Sequence, residues 1–171
     1  MALKAMTTVD VVDYVSDLDP SKKKKWVPVD AADPDGPQIE SEDIDAHATH
    51  FGLRPLDLFL QGWIYDSASE LESTQGSNKV GIKTRINQTN IEAVRYGLAY
   101  LKNYTDKKGN TVKFELNDVQ VNGRDYKAVS DNVMNTFGIK LVGELAEKIK
   151  AVSEVTPDEE KNSAGALLQS A

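Results

Sequence analysis

Two histidines and a carboxylate stand close together at Asp45, His47 and His50 (D-A-H-A-T-H), the residue types that bind zinc and similar divalent ions. Histidines three apart share one face of a helix. A closed site needs a third or fourth ligand, however, and the chain has only 2 histidines. The spacing therefore reads as polar residues leading into an apolar helix, and no metal site is expected. Asp33, Asp35, Gly36 and Glu42 fall on positions three, five, six and twelve of a calcium loop. Ala31 stands at position one, where it cannot coordinate, so a polar turn is expected there instead. The chain has no cysteine, which excludes disulfides, thiolate ligands and cysteine nucleophiles. No Gly-x-Ser-x-Gly, phosphate-cradling Gly-rich loop or His-Glu-x-x-His occurs, so neither catalytic residues nor a cofactor site is expected.

What remains is charge. The 171 residues carry 20 Lys and Arg against 27 Asp and Glu, a net charge of −7. The charges are segregated. Asp10, Asp13, Asp17, Asp19, Asp30, Asp33, Asp35, Glu40, Glu42, Asp43 and Asp45 are opposed only by Lys22, Lys23, Lys24 and Lys25. Further on, Lys79, Lys83, Arg85, Arg95, Lys102, Lys107, Lys108 and Lys113 face only Glu92 and Asp106. Such asymmetry draws copies of one chain together or steers a partner. Lys83, Arg85, Arg95 and Lys102, with Tyr96, Tyr100 and Tyr104, make a basic and aromatic face of the kind that stacks bases. A net charge of −7 argues against nucleic acid, and the i, i+4, i+8 tyrosines equally suit a protein interface. The candidate interaction residues are therefore Lys22, Lys23, Lys24, Lys25, Trp26, Lys83, Arg85, Arg95, Tyr96 and Tyr100.

These residues need elements to hold them. Val11 to Ser16 and Trp26 to Asp30 read as two strands of an N-terminal hairpin with the lysines in its loop. Pro28 lacks a ladder N–H, which places its strand at an edge. Residues 31 to 38 read as a loop, and the acidic run 40 to 45 continues it. Arg54 to Ser67 repeats apolar residues (Leu56, Phe59, Leu60, Trp63, Ile64) at helical spacing, with Pro55 in the first turn. Residues 67 to 78 form a polar connection, and Lys79 to Ile86 alternates as a half-buried strand. A capping box at Thr89 and Glu92 opens a helix from Asn90 to Tyr104. A turn at 105 to 110 precedes a strand from Thr111 to Leu116. Asn122-Gly123 closes a hairpin whose return strand is Tyr126 to Val129. Ser130 caps a short helix that Gly138 stops, and Ile139 to Val152 is the last core helix. Thr156 to Glu159 opens a marginal helix, and a tail follows in which Leu167 and Leu168 can dock on a neighbour.

The longest nearly apolar stretch, Leu58 to Tyr65, is too short to cross a bilayer, and the first residues lack a signal-peptide core. No membrane association or secretion is expected. The fold class is α+β: a small mixed or antiparallel sheet packed by about three helices, with an N-terminal β-hairpin extension. Residues 1–45 form the hairpin arm and acidic loop, 46–155 the core domain and 156–171 the tail.

The stretches VRYGLAYLKNYTDKKGNTVKFE (94 to 115) and VSDNVMNTFGIKLVGELAEKIKAVSEVTPDEEKNS (129 to 163) resemble small proteins encoded in the structural-gene region of tailed bacteriophages. The resemblance lies in the turn and strand Asp106-x-x-Gly109-x-x-Val112-x-Phe114, the Glu144-Leu-Ala-x-x-Ile149 helix and the Glu159 to Ser163 tail. It implies a non-enzymatic virion or assembly protein (tail, neck or capsid-associated), made in the host bacterial cytoplasm and carried in the virion. Its partners would be other phage structural proteins and further copies of itself. A tail-assembly chaperone not retained in the virion is the first alternative, and a nucleic-acid-binding module using 79 to 113 the second. A well-ordered N-terminal arm would favour the retained component.

Overall fold

A three-stranded antiparallel sheet organises the core, in the order β1 (Val12–Val15), β4 (His50–Leu53), β7 (Leu98–Lys102). The computed structural model describes residues 10–32, 35–73 and 80–154. Three further antiparallel pairs surround the sheet: β2 (Lys22–Pro28) with β3 (Gln38–Ile44), β5 (Ser69–Ser73) with β6 (Val80–Thr84), and β8 (Leu116–Val121) with β9 (Arg124–Val129). Among the described residues there are four helices: α1 (Leu58–Ser67), α2 (Ile86–Gly97), α3 (Asp131–Met134) and α4 (Ile139–Ser153). It is an α+β architecture with an N-terminal hairpin, as expected, and every sheet is antiparallel.

The core forms where α4 and α2 cross over the sheet. Val142, Leu145, Ala146 and Ile149 of α4 meet Ala93 and Val94 of α2 and Phe51, Leu53 and Leu98 of the sheet. Burying each of the larger side chains is worth roughly 1.5–3 kcal/mol. Gly97 permits the close approach, since a Cβ there would lie 2.4 Å from Ile149 Cγ2. Local signals fix several boundaries. Asp57 caps α1 by accepting from the Leu60 N–H at 2.8 Å. Asn122 and Gly123 have φ of 49° and 77°, the left-handed pair that a two-residue turn between twisted strands requires.

Several expectations are corrected. The first strand does not pair with the Trp26 strand: β1 joins β4 in the core sheet, so the arm is residues 22–44 rather than 1–45. The lysines are not a hairpin loop, and the acidic run is not a loop either; each is one strand of the arm. Residues 69–73, read as connection, pair with β6. Ile86 rather than Asn90 opens α2, which ends at Gly97; Leu98 to Lys102 turn extended because β4 offers them a ladder that a lengthened helix would forgo. Thr89 is thus inside the helix, with its hydroxyl on the Arg85 carbonyl at 3.1 Å. Residues 112–115 form no strand. Gly138 starts α4 rather than stopping α3. Pro55 precedes the Asp57 cap instead of sitting in the first turn. Pro28 does lie on an edge strand. The expected helix at 156 and tail through 171 lie outside the described residues.

Candidate functional site

The arm is a two-stranded ribbon in which opposite charges face one another. Lys23 stands across from Asp43 and Lys24 across from Glu42. Diagonal ion pairs link Lys24 to Glu40 at 3.0 Å and Lys25 to Asp43 at 3.8 Å. At the root, Lys22 Nζ meets Asp17 Oδ1 at 2.7 Å and Glu42 Oε1 at 3.0 Å. Its side chain is only 8% exposed there. Burial acts to lower its pKa, but the Asp17 and Glu42 carboxylates outweigh that and raise it. The pairs of the stem are exposed and screened by solvent, so they set register more than stability.

Beyond the stem the ribbon becomes apolar. Trp26 is 66% exposed, Val29 62% and Ile39 54%. Val27 and Ile39 are directly opposed, and Val29 donates its N–H to the Pro37 carbonyl at 2.8 Å, which closes the ladder beside the tip. β2 and β3 pack on each other and make only marginal contact with any other described element. A two-stranded ribbon alone in water is marginally stable. Exposing an indole and two β-branched side chains on one is a cost that a binding partner removes.

The root of the arm is anchored by one carboxylate. Glu144 on α4 accepts from the Tyr14 hydroxyl at 2.6 Å, the Ser16 hydroxyl at 2.9 Å and the Asp17 N–H at 2.7 Å. Burial and this carboxylate push the Tyr14 phenol upward. Asp19 secures the other side by accepting from the Thr49 N–H at 2.7 Å and the Ser21 N–H at 2.8 Å.

The basic and aromatic face does not assemble. Tyr96 is 4% exposed and stacks edge-on against Trp63 and Tyr126, at 5.9 and 6.2 Å between ring centroids. This corrects its assignment as an interaction residue: its side chain is buried in the core. Arg95 binds Asp131 at 2.6 Å and Glu92 at 3.6 Å on the body of the protein. Tyr100 lies on β7, where its ring covers Gly52, and its hydroxyl donates to Asp13 Oδ1 at 2.5 Å. Asp13 Oδ2 engages His50 Nδ1 at 2.7 Å, and Lys102 Nζ sits 4.7 Å from the Tyr100 ring centroid. Desolvation opposes ionisation of Asp13, but Tyr100, His50 and Lys102 prevail and hold its pKa below the ordinary 3.8. Hydrogen bonding to that carboxylate pushes Tyr100 up to about 12. Tyr96, Tyr100 and Tyr104 therefore form no stripe, because the chain changes from helix to strand between the first two. Arg85 is exposed at the α2 N-cap, and the Lys83 backbone pairs with Glu70 in the β5–β6 ribbon.

His47 and His50 do not converge with Asp45. Asp45 Oδ1 accepts from the His47 backbone N–H at 2.8 Å, and His50 turns to Asp13. Among the described residues no group of three or more His, Asp or Glu is placed to hold a metal ion. Glu42 is a ladder residue, not the last ligand of a calcium loop. No described helix is long and apolar enough to cross a membrane.

Sequence reasoning singled out the lysines and Trp26 but missed Ile39 and Val29 as tip residues and Glu144 as the anchor. The missed signal was the match between Lys22–Lys25 and the acids at 40 to 43, which is that of two facing strands. No protein-family model, curated protein or solved structure matches the chain.

Proposed function

We propose that this chain is a non-enzymatic bacteriophage structural or assembly protein that acts through protein–protein contacts, as a tail, neck or capsid-associated component of the virion. The observation that carries the reading is the arm, whose charge-paired stem presents Trp26, Val29 and Ile39 to solvent away from the core. A narrow ribbon of that kind, with an exposed Trp26 on one face and Val27 and Ile39 on the other, suits insertion into a neighbouring protein. The phage context comes from the resemblance of 94 to 115 and 129 to 163 to structural-region proteins. A seven-rung ladder between β2 and β3 supports a retained component over a transient chaperone, since a chaperone arm would be expected to order only on binding.

The test is mass spectrometry of purified virions. The expected result is this chain at a fixed copy number. Its presence in infected cells with absence from particles would select the assembly chaperone instead. A gene lying outside any phage structural region would overturn the reading.

A further inference from the structure

We infer that the tip of the arm docks on a second copy of this chain, at the basic end formed by the 105–110 turn and the first residues of α4. The inference rests on the protein-contact reading above and names the partner. Between Trp26 and Ile39 the arm has no lysine or arginine, and Asp30 and Asp35 are exposed there, so the apolar tip carries negative charge while Glu40 is held by Lys24 in the stem. The complementary surface lies on the body. Lys107 and Lys108 project from the turn, exposed and without an ion pair among the described residues. The Asp106 carboxylate is engaged within the turn, accepting from the Lys108 N–H at 2.8 Å and the Asn110 N–H at 2.9 Å. The Tyr104 ring packs on Phe137 at 5.5 Å, and its hydroxyl donates to the Thr136 carbonyl at 2.9 Å. This contact sets the start of α4 beside the turn, with Ile139 60% exposed and Lys140 exposed next to it. One end thus offers exposed Trp26, Val29 and Ile39 with the carboxylates of Asp30 and Asp35; the other offers exposed Ile139 with the ammonium groups of Lys107, Lys108 and Lys140.

The match is not made within the same molecule, since β2 and β3 make only marginal contact with any other described element. Seven strand residues carry the tip roughly 20 Å from the root at about 3.3 Å each. The root itself sits beside the turn, because Asn103 Nδ2 donates to the Ala48 carbonyl at 3.1 Å. Tip and basic end are different patches, so the contact is head to tail and propagates into a ring or filament.

Sedimentation velocity on the full chain tests this. At low salt the chain should form concentration-dependent oligomers that dissociate as ionic strength rises, because the charges lie at an exposed rim. Trp26→Asp should leave it monomeric. The pair Lys107→Glu/Lys108→Glu and the pair Asp30→Lys/Asp35→Lys should each weaken association about tenfold or more. Mixing the two charge-reversed proteins should restore it, since each reversed patch then meets a complementary one. A native chain that stays monomeric throughout, a Trp26→Asp protein that assembles like the native one, or a mixture that stays dissociated would each overturn the inference. If a charge-reversed protein fails to fold, the cysteine-free background supplies a second test: oxidising a mixture of Asp35→Cys and Lys107→Cys proteins should yield the mixed disulfide dimer, and its absence overturns the inference. The outcomes are separable from those of the virion experiment, because a chain can self-associate and be missing from particles, or be present in them and not self-associate.

Discussion

Glu144 shows how much one side chain decides. Its two oxygens accept three hydrogen bonds from Tyr14, Ser16 and Asp17, joining β1 and the arm root to α4 across more than a hundred residues of sequence. Glu144→Gln removes the carboxylate charge and replaces one acceptor oxygen with an NH2 donor, which the Asp17 N–H cannot use and the two hydroxyls can meet only by giving up their own donation. It should destabilise the protein by about 1–2 kcal/mol, seen as a lower midpoint in urea. Asp13 adds a pH dependence. Its folded-state pKa lies below 3.8, so its contribution is present above that value and is lost as pH falls through the depressed one. Tyr100 works in the opposite direction. Folded, it holds its proton up to about 12 against 10.0 unfolded, so its contribution is full below pH 10 and declines between the two values. Thermal melts across pH should show both limbs, and Tyr100→Phe should make both shallower. A Tyr100→Phe profile that overlays the native one would refute this pairing. None of these partners was legible in sequence, since neither Asp13 with Tyr100 nor Tyr14 with Glu144 is linked by any local spacing.

The arm behaves as an element of its own. β2 and β3 pack on little but each other, so changes there should loosen the ribbon and spare the core. Lys24→Glu places a carboxylate directly across from Glu42 and removes the pair with Glu40. Amide exchange should accelerate across residues 22–44 while α2 and α4 keep native protection. Acceleration in α4 of equal size would show that the arm is not separable. Several elements with local signals were read correctly, although the capping box at Thr89, the stop at Gly138 and the place of Pro55 were not. The Asn122-Gly123 turn and its flanking strands, the β6 alternation and the α4 stripe of Val142, Leu145 and Ile149 all depend on residues close in sequence. Other misreadings occurred where pairing overrides propensity. The 98 to 102 segment continues a helical pattern from α2, yet it becomes β7 because β4 supplies hydrogen-bond partners.

For the molecule as a whole, much of the charge along the arm stem and around α2 is paired internally, and the arm tip and the 105–110 turn keep theirs exposed. The acidic N-terminal region and the lysine block neutralise each other along one ribbon, and Arg95 is held by Glu92 and Asp131. Tyr96 is buried, and Tyr100 is bound to Asp13. Arg95 and Tyr96 therefore do not contribute to a face of basic residues beside stacked tyrosines. With a net charge of −7 the protein should show no binding to labelled single- or double-stranded DNA by fluorescence anisotropy at low salt. Salt-dependent binding there would revive the nucleic-acid alternative.

The amino-acid sequence by itself determined the absence of cysteine chemistry, the net charge and its segregation, the α+β class and the edge position of Pro28. These follow from composition and from periodicities that act over a few residues. Only the tertiary structure decided where the segregated charges go. Strand partners are chosen by burial and ladder hydrogen bonding over the whole chain, and that choice put β1 against β4 and the lysines against the acids. The reading of Lys22 to Lys25 changes accordingly, from a projecting basic loop to the stem that carries Trp26 outward.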